Sequence, residues 1–310
     1  DINDQMVMDV EQIKKAISFK TKAVIPVDFA GWPCDYEAIR QVLDDEPVRA
    51  LFKKENHFQE QLGRPLIIAD AAHSLGATYG KKPSGLQADI SIYSLHAVKN
   101  ITTAEGGVIG LNLPSPFDNA EIYSWMKLNS LNGQTKDAYA KMQGSEWRYD
   151  IISEGLKINL PDICAAIGLA QLRQYERHLL PERKRVALRY LNAFQNYDWA
   201  LLPPQMDELK ESSYHIFPLR IKGISEKERD NIIRKIINSG VSANVHFVPL
   251  PMFSFFREKG YMMTDFPVSF SNYCREISLP IYPQLSNDQV DFIVSAVVKA
   301  VNSYVHEAIL

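Results

Sequence analysis

Short apolar runs alternate with helix-length amphipathic segments through the first two-thirds of the chain. Residues 23–27 (Ala-Val-Ile-Pro-Val), 65–70 (Pro-Leu-Ile-Ile-Ala-Asp), 89–94 and 107–110 read as strands. Residues 10–17, 36–43 and 48–62 read as helices, the second of them capped by Asp35. Strands separated by helices form parallel βα units. The expected class is therefore α/β with a mostly parallel sheet. Residues 129–159 are polar and aromatic without clear period, which marks a long functional or mobile loop. A long helix is expected from Pro161, with a break at Pro181, to about Tyr197.

After Pro203-Pro204 the pattern changes. Residues 214–221, 241–247 and 277–280 read as strands, and 226–239 and 287–305 as helices. Two parts are expected: a large α/β domain over 1–200 and a smaller α+β domain over 201–310. The 34 Lys and Arg against 37 Asp and Glu give a formal charge of −3, which argues against a basic nucleic-acid or anionic-membrane binder. Cys34, Cys164 and Cys274 are odd in number and far apart, so no disulfide framework or metal spacing is visible and a reducing, cytoplasmic compartment is expected. The polar opening Asp1-Ile2-Asn3-Asp4 carries no signal-peptide pattern, and no apolar run has the length of a membrane span.

The segment 70–107 is the densest in chemistry. Lys99 follows a strand and precedes a Gly-rich turn, where open α/β sheets place ligands. A desolvated lysine can form a Schiff base, and Asp70 also ends a strand. Lysine plus carboxylate is the pair that pyridoxal phosphate (PLP) needs: one for the aldehyde, one for the pyridinium nitrogen. The alternatives are an ordinary exposed lysine and a helix N-cap aspartate.

Asp-Ala-Ala-His-Ser-Leu-Gly-Ala (70–77) and Ser-Leu-His-Ala-Val-Lys-Asn-Ile-Thr-Thr-Ala-Glu-Gly-Gly (94–107) resemble the DegT/DnrJ/EryC1/StrS family of PLP-dependent nucleotide-sugar aminotransferases. The resemblance continues through 155–172, 245–250 and 277–283, and so spans nearly the whole chain. It implies fold type I. It also implies that Lys99 carries the cofactor and moves protons, and that Asp70 partners the ring nitrogen. His73 takes the place of a family His or Gln near the phenolic oxygen; the alternative is a histidine packed beneath the ring. Ser94 matches the family's phosphate-binding serine, while His96 is assigned a structural role.

Lys157 and Asn159 lie where the family reaches the neighbouring subunit's phosphate or substrate, in a Lys-then-Asn variant of the common Asn-then-Arg pattern. They also read as two polar loop residues. His246 and Tyr282 are candidates for the substrate side, and no metal is expected. A lysine at 99, where the family's 3-dehydratases have histidine, points to amino transfer. Glu105 is read as a support of the turn after Lys99.

The implied reaction moves an amino group, from glutamate, to a nucleotide-linked keto-deoxysugar in a homodimer with shared sites. Surface polysaccharide or a glycosylated metabolite would be its outlet. The family's phosphate-binding Gly-Thr/Ser-Ala turn and ring-stacking aromatic are expected to be absent, because no such motif precedes Asp70. That motivates a second reading, a catalytically incompetent chain that only binds a partner or nucleotide-sugar. The sugar, the nucleotide and the choice of C3 or C4 stay open.

Overall fold

The computed structural model describes residues 1–136 and 148–307. Four strands form the first sheet, β1 (Ala23–Val24), β2 (Leu66–Asp70), β5 (Ile90–Ser94) and β6 (Gly107–Leu111), in the order β1-β2-β5-β6. β1 and β2 pair parallel, as do β2 and β5, with Asp70 opposite Ile92. β6 runs antiparallel to β5, since a loop and not a helix connects them. The small hairpin β3 (Thr78–Tyr79) and β4 (Lys82–Pro83) lies between β2 and β5 in the chain.

The helices before β2 are α1 (Val10–Ala16), α2 (Tyr36–Asp44), α3 (Glu46–Leu51) and α4 (His57–Leu62). Asp35 caps α2 through the Ala38 N–H at 3.1 Å. Tyr36, Ile39, Val42 and Leu43 of α2 pack on Ile67 and Ala69 of β2. The expected helix over 48–62 is two short ones: α3 stops at Phe52, and Asn56 caps a new start. Buried Arg64 and Asp89 pin the entries of β2 and β5 together with two bonds of 2.8 Å. Burial works against the Asp89 carboxylate, but Arg64 and the Ile67 N–H hold its pKa below the usual range.

After α5 (Asn119–Asn129) the long helix runs as α6 (Asp162–Gln174), one π turn (Tyr175–Leu179) and α7 (Leu180–Phe194). The irregularity falls one turn before the expected Pro181 break, because Pro181 sits in the first turn of α7, where its missing N–H costs little. β7 (Ala200–Leu201), β9 (Phe217–Ile221) and β10 (Glu276–Leu279) make an antiparallel sheet in the order β10-β9-β7. β8 (Lys210–Glu211) joins β3.

The apolar face of α7 shares a core with β9, β10, α8 (Glu226–Asn238) and α11 (Asn287–Glu307); the short helices α9 (Ser254–Glu258) and α10 (Pro267–Tyr273) lie between the last two in the chain. Ser225 and Glu228 close a capping box on α8. Residues 241–247, expected as a strand, are irregular and contribute one bridge, Asn244 to Ser278. Among the described residues no helix is long and apolar enough to cross a membrane.

Candidate active site

β2 ends at Asp70, and its Oδ1 accepts the Ala72 N–H at 3.2 Å. No helix starts there, so Asp70 is not a helix cap. β5 ends at Ser94, whose hydroxyl accepts the His96 N–H at 3.3 Å. The loop 95–106 closes on itself through Leu95 N–H to Gly106 O and Thr103 N–H to Leu95 O, both 2.9 Å. Lys99 sits in the turn of that loop, half-buried, with its N–H on His96 O at 3.0 Å.

Two amide side chains fasten the loop. Gln171 of α6 donates to Thr102 O at 2.7 Å and accepts the Thr102 N–H at 3.1 Å. Asn100 donates to Ser213 O at 2.9 Å and to the Tyr175 hydroxyl at 3.1 Å, and its Oδ1 meets His215 Nδ1 at 2.8 Å. Both amide protons of Asn100 are thereby used, so Oδ1 accepts and His215 carries its proton on Nδ1. Tyr175, in the π turn, donates to Leu75 O at 2.6 Å. The loop with Lys99, the turn after Asp70 and the entry to β9 are thus tied at one point.

Around Lys99 stand three imidazoles. His73 and His215 are buried, with ring centroids 4.2 Å apart. His73 Nδ1 accepts the Ala30 N–H at 3.3 Å, so its proton belongs on Nε2. Phe247 stacks on His73 at 5.9 Å and meets His246 edge-on at 4.6 Å. The turn at Phe29–Gly31 comes in close: Gly31 has φ +92°, and a Cβ there would collide with the Ser213 hydroxyl.

The electrostatics follow from this crowding. Burial lowers the Lys99 pKa, with Asp70 pulling the other way. Burial, then the charges of Lys99 and His246, push His73 down to about 3. His215 is driven well below the imidazole range by burial, His73, Arg183, Lys99 and His246. His246 is lowered by burial and by Lys99. All three rings are neutral at neutral pH, so none of them adds a positive charge beside Lys99. Behind Asp70, buried Asp28 accepts from Cys34 N–H, Tyr36 OH and Ser74 OH at 2.9, 2.8 and 2.7 Å. Burial raises its pKa to about 6 against those three bonds, and Asp70 adds to the rise.

Lys99, Asp70, His73 and His246 are therefore brought into one electrostatic cluster, with Ser94 two residues beyond the Asp70 partner Ile92 on β5. Lys157 and Asn159 are exposed on a stretch that bridges to Leu131. Tyr282 is exposed in the loop after β10, next to Tyr190 in the electrostatics of the second core. Among the described residues, no hydrogen bond or ion pair joins these three to Lys99, Asp70 or His73. His96 turns away, its Nε2 3.6 Å from exposed Glu105. Residues 96–100 are bends and turns, so His96 does not continue β5.

His215, Asn100, Phe247 and Asp28 escaped the sequence reading. None stands in a spaced pattern with Lys99. Only the Lys99-Asn100 adjacency was available as a signal.

This loop-borne lysine beside a strand-end carboxylate occurs in a chain whose residues 1–52 and 60–298 match the family model of the DegT/DnrJ/EryC1/StrS aminotransferases. The chain belongs to the DegT/DnrJ/EryC1/StrS aminotransferase family. Aminotransferases of this family are PLP-dependent, and the family places the chain in fold type I. A structural relative is Spr1654 of Streptococcus pneumoniae, assigned as a sugar aminotransferase and solved in apo, PLP and PMP forms. Its PMP form is 38% identical with TM-score 0.91, over 98% of this chain and 75% of that one. PseC of Helicobacter pylori, an aminotransferase of pseudoaminic acid biosynthesis, is 26% identical with TM-score 0.79, over 97% and 72%. The spore coat polysaccharide biosynthesis protein SpsC of Bacillus subtilis is 30% identical over 302 residues, 95% of this chain and 71% of SpsC.

Proposed function

We propose that this chain transfers an amino group from glutamate to a nucleotide-linked keto-deoxysugar, with Lys99 as the acid–base residue. One observation carries the reading: a half-buried lysine with a lowered pKa, on a loop fastened at Asn100 and Thr102, set against a strand-end carboxylate. The lowered pKa keeps a larger share of the amine unprotonated, the form that attacks a carbonyl and takes a proton.

The residues fit PLP. Lys99 would hold it covalently, Asp70 would face its ring nitrogen, and Ser94 would bond its phosphate. His73, with its proton on Nε2, would offer a donor to the phenolic oxygen. Bound PLP supplies an electron-withdrawing ring that stabilises negative charge at the amino donor's Cα. Lys99 would then take the Cα proton and return it during amination of the sugar ketone. Asp70 would hold the proton on the ring nitrogen. Phe29, His73 and Phe247 would line the site as one aromatic cluster.

Residues 1–200 would supply Lys99, Asp70, His73 and Ser94, and residues 201–310 would supply His246 and Tyr282 on the substrate side. A homodimer with shared sites is part of the proposal. α6 has no buried residue, and Ile163, Leu169 and Leu172 on it are exposed, together with Leu156 and Ile158 beside Lys157 and Asn159. An apolar stripe of that size fits a second copy, whose site Lys157 and Asn159 would then reach. The three free thiols fit a reducing, cytoplasmic setting. The test is incubation of the PLP-loaded protein with glutamate. Conversion of the cofactor to its pyridoxamine form, with release of 2-oxoglutarate, is expected. A loaded protein inert to glutamate, but not to another amine donor, would overturn the donor assignment. Inertness to every donor would overturn amino transfer itself.

A further inference from the structure

Behind His246 lies a carboxyl group that the proposed reaction does not use. Glu276 on β10 is fully buried, and its Oε2 accepts the His246 backbone N–H at 2.9 Å. Its Oε1 is hydrogen-bonded to the Ser278 hydroxyl, which in turn meets His246 Nδ1 at 2.8 Å. Glu276 and Ser278 stand two apart on one strand, so both side chains leave the same face. The bridge from Asn244 to Ser278 holds residues 241–247 against that face.

We propose that Glu276 and Ser278 are positioning residues that decide, through this relay, which ring nitrogen of His246 carries the proton. A serine hydroxyl has one hydrogen, and Oε2 is already engaged by the backbone. With Glu276 protonated, Oε1–H donates to Ser278 and Ser278 donates to Nδ1. The ring then bears its proton on Nε2 and offers a donor. With Glu276 ionised, Ser278 donates to Oε1 and Nδ1–H donates to Ser278, so Nε2 becomes an acceptor. In passing from one state to the other, one proton leaves from Nε2, the Ser278 hydrogen moves to Nδ1, and the Glu276 hydrogen moves to Ser278.

The surroundings put the change within reach of ordinary conditions. Burial raises the Glu276 pKa to about 8, against the Ser278 hydroxyl, the His246 N–H and the charges of Arg229 and Arg220. Arg220 faces it across the β9–β10 pair, and Arg229 reaches it from α8, with Nη1 on Glu276 O at 3.3 Å. On the other side of His246 stand Lys99, His73 and His215. His246 Nε2 would thus present a donor to a substrate oxygen below about pH 8 and an acceptor above it. That purpose rests on the aminotransferase reading, but the tautomer itself does not.

The test uses the protein without cofactor, labelled with ¹⁵N-histidine, and reads the ring nitrogens by NMR, with H246N to identify the signals. In the wild type His246 is expected as the Nε2–H form at about pH 6.5 and the Nδ1–H form at about pH 9.5. E276Q, whose carbonyl takes over the His246 N–H and so turns its NH2 to donate to Ser278, should stay in the Nε2–H form at both. S278A should lose the change and S278T should keep it. Should E276Q not fold, the S278A and S278T pair decides alone. The same tautomer at both pH values in the wild type, or a change that survives in S278A, would overturn the relay. Failure to retain PLP would leave this result standing, and loss of the relay would leave amino transfer standing.

Discussion

Every residue of β9 and β10 is buried, whereas β5 and β6 bury only Ser91 among ten positions. The first pair sits between helices α7, α8 and α11, which cover it within this chain. The second pair belongs to the sheet that carries the site, where Ile92, Val108 and Ile109 are exposed, with Ile25 and Val27 beside β1. The difference separates two jobs. The C-terminal sheet holds itself together and, through Glu276 and Ser278 of β10, fixes His246 on the irregular segment beside it. The site-bearing sheet is anchored point by point, at Arg64–Asp89, Asn100–Ser213 and Gln171–Thr102, and leaves apolar surface open.

Breaking the lysine should have the largest effect, because Lys99 is the lysine that the β5–β6 loop sets beside Asp70. K99R keeps a cation of similar reach but one that does not form the covalent bond to the cofactor. Its glutamate half-reaction, followed by stopped-flow absorbance, should fall at least ~10³-fold while the circular dichroism stays unchanged. Next comes a matched pair of truncations. L219A in the closed core should cost about 2–5 kcal/mol in urea unfolding, and I92A on the open sheet about 1 kcal/mol or less. Equal costs would mean that the open face is covered in solution and would erase the contrast.

A third test addresses α6. Ile163 is 79% exposed. I163E should weaken self-association at least ~10-fold by light scattering without altering the helix content. No change in mass would remove the apolar stripe from the interface.

A fourth test concerns pH. Folding raises Glu276 above its ordinary value to about 8, so the folded chain holds a proton that the unfolded chain releases. Wild-type stability should therefore decline from the carboxylate range through about pH 8, and E276Q should lack that decline. Asp28, raised to about 6, adds a decline over the lower range to both proteins. His73 acts in the opposite sense: its pKa is depressed to about 3, so its contribution is lost as pH falls from the imidazole range toward 3. Melting curves across pH would show both slopes.

Much of the skeleton was legible in residue order. β2 and β5 appear as β-branched runs ending in Asp70 and Ser94, and the Asp35 cap and the closing helix follow from local chemistry. Local chemistry misled where a contact partner was remote. Residues 241–247 alternate like a strand, yet only Asn244 pairs backbone to backbone with β10. β6 turns back beside β5 because the lysine loop between them closes on its own carbonyls instead of forming a crossover helix. The lysine and aspartate of the site were legible because Asp70 ends one strand and Lys99 follows another in a Gly-rich turn. Asn100 and His215 were not, since they meet across 115 positions. Glu276 was hidden for another reason: a fully buried carboxyl in an apolar strand reads as an error in alternation until its partners, Ser278 and the His246 N–H, are seen.

The central claim is that Lys99 holds the cofactor at the seam of the two regions. It is tested most directly by adding PLP to the purified chain, recording the visible absorption, reducing with borohydride and mapping the labelled peptide. The account predicts a yellow protein whose label is fixed on Lys99. A folded chain that retains no cofactor, or a label on any other lysine, would contradict it.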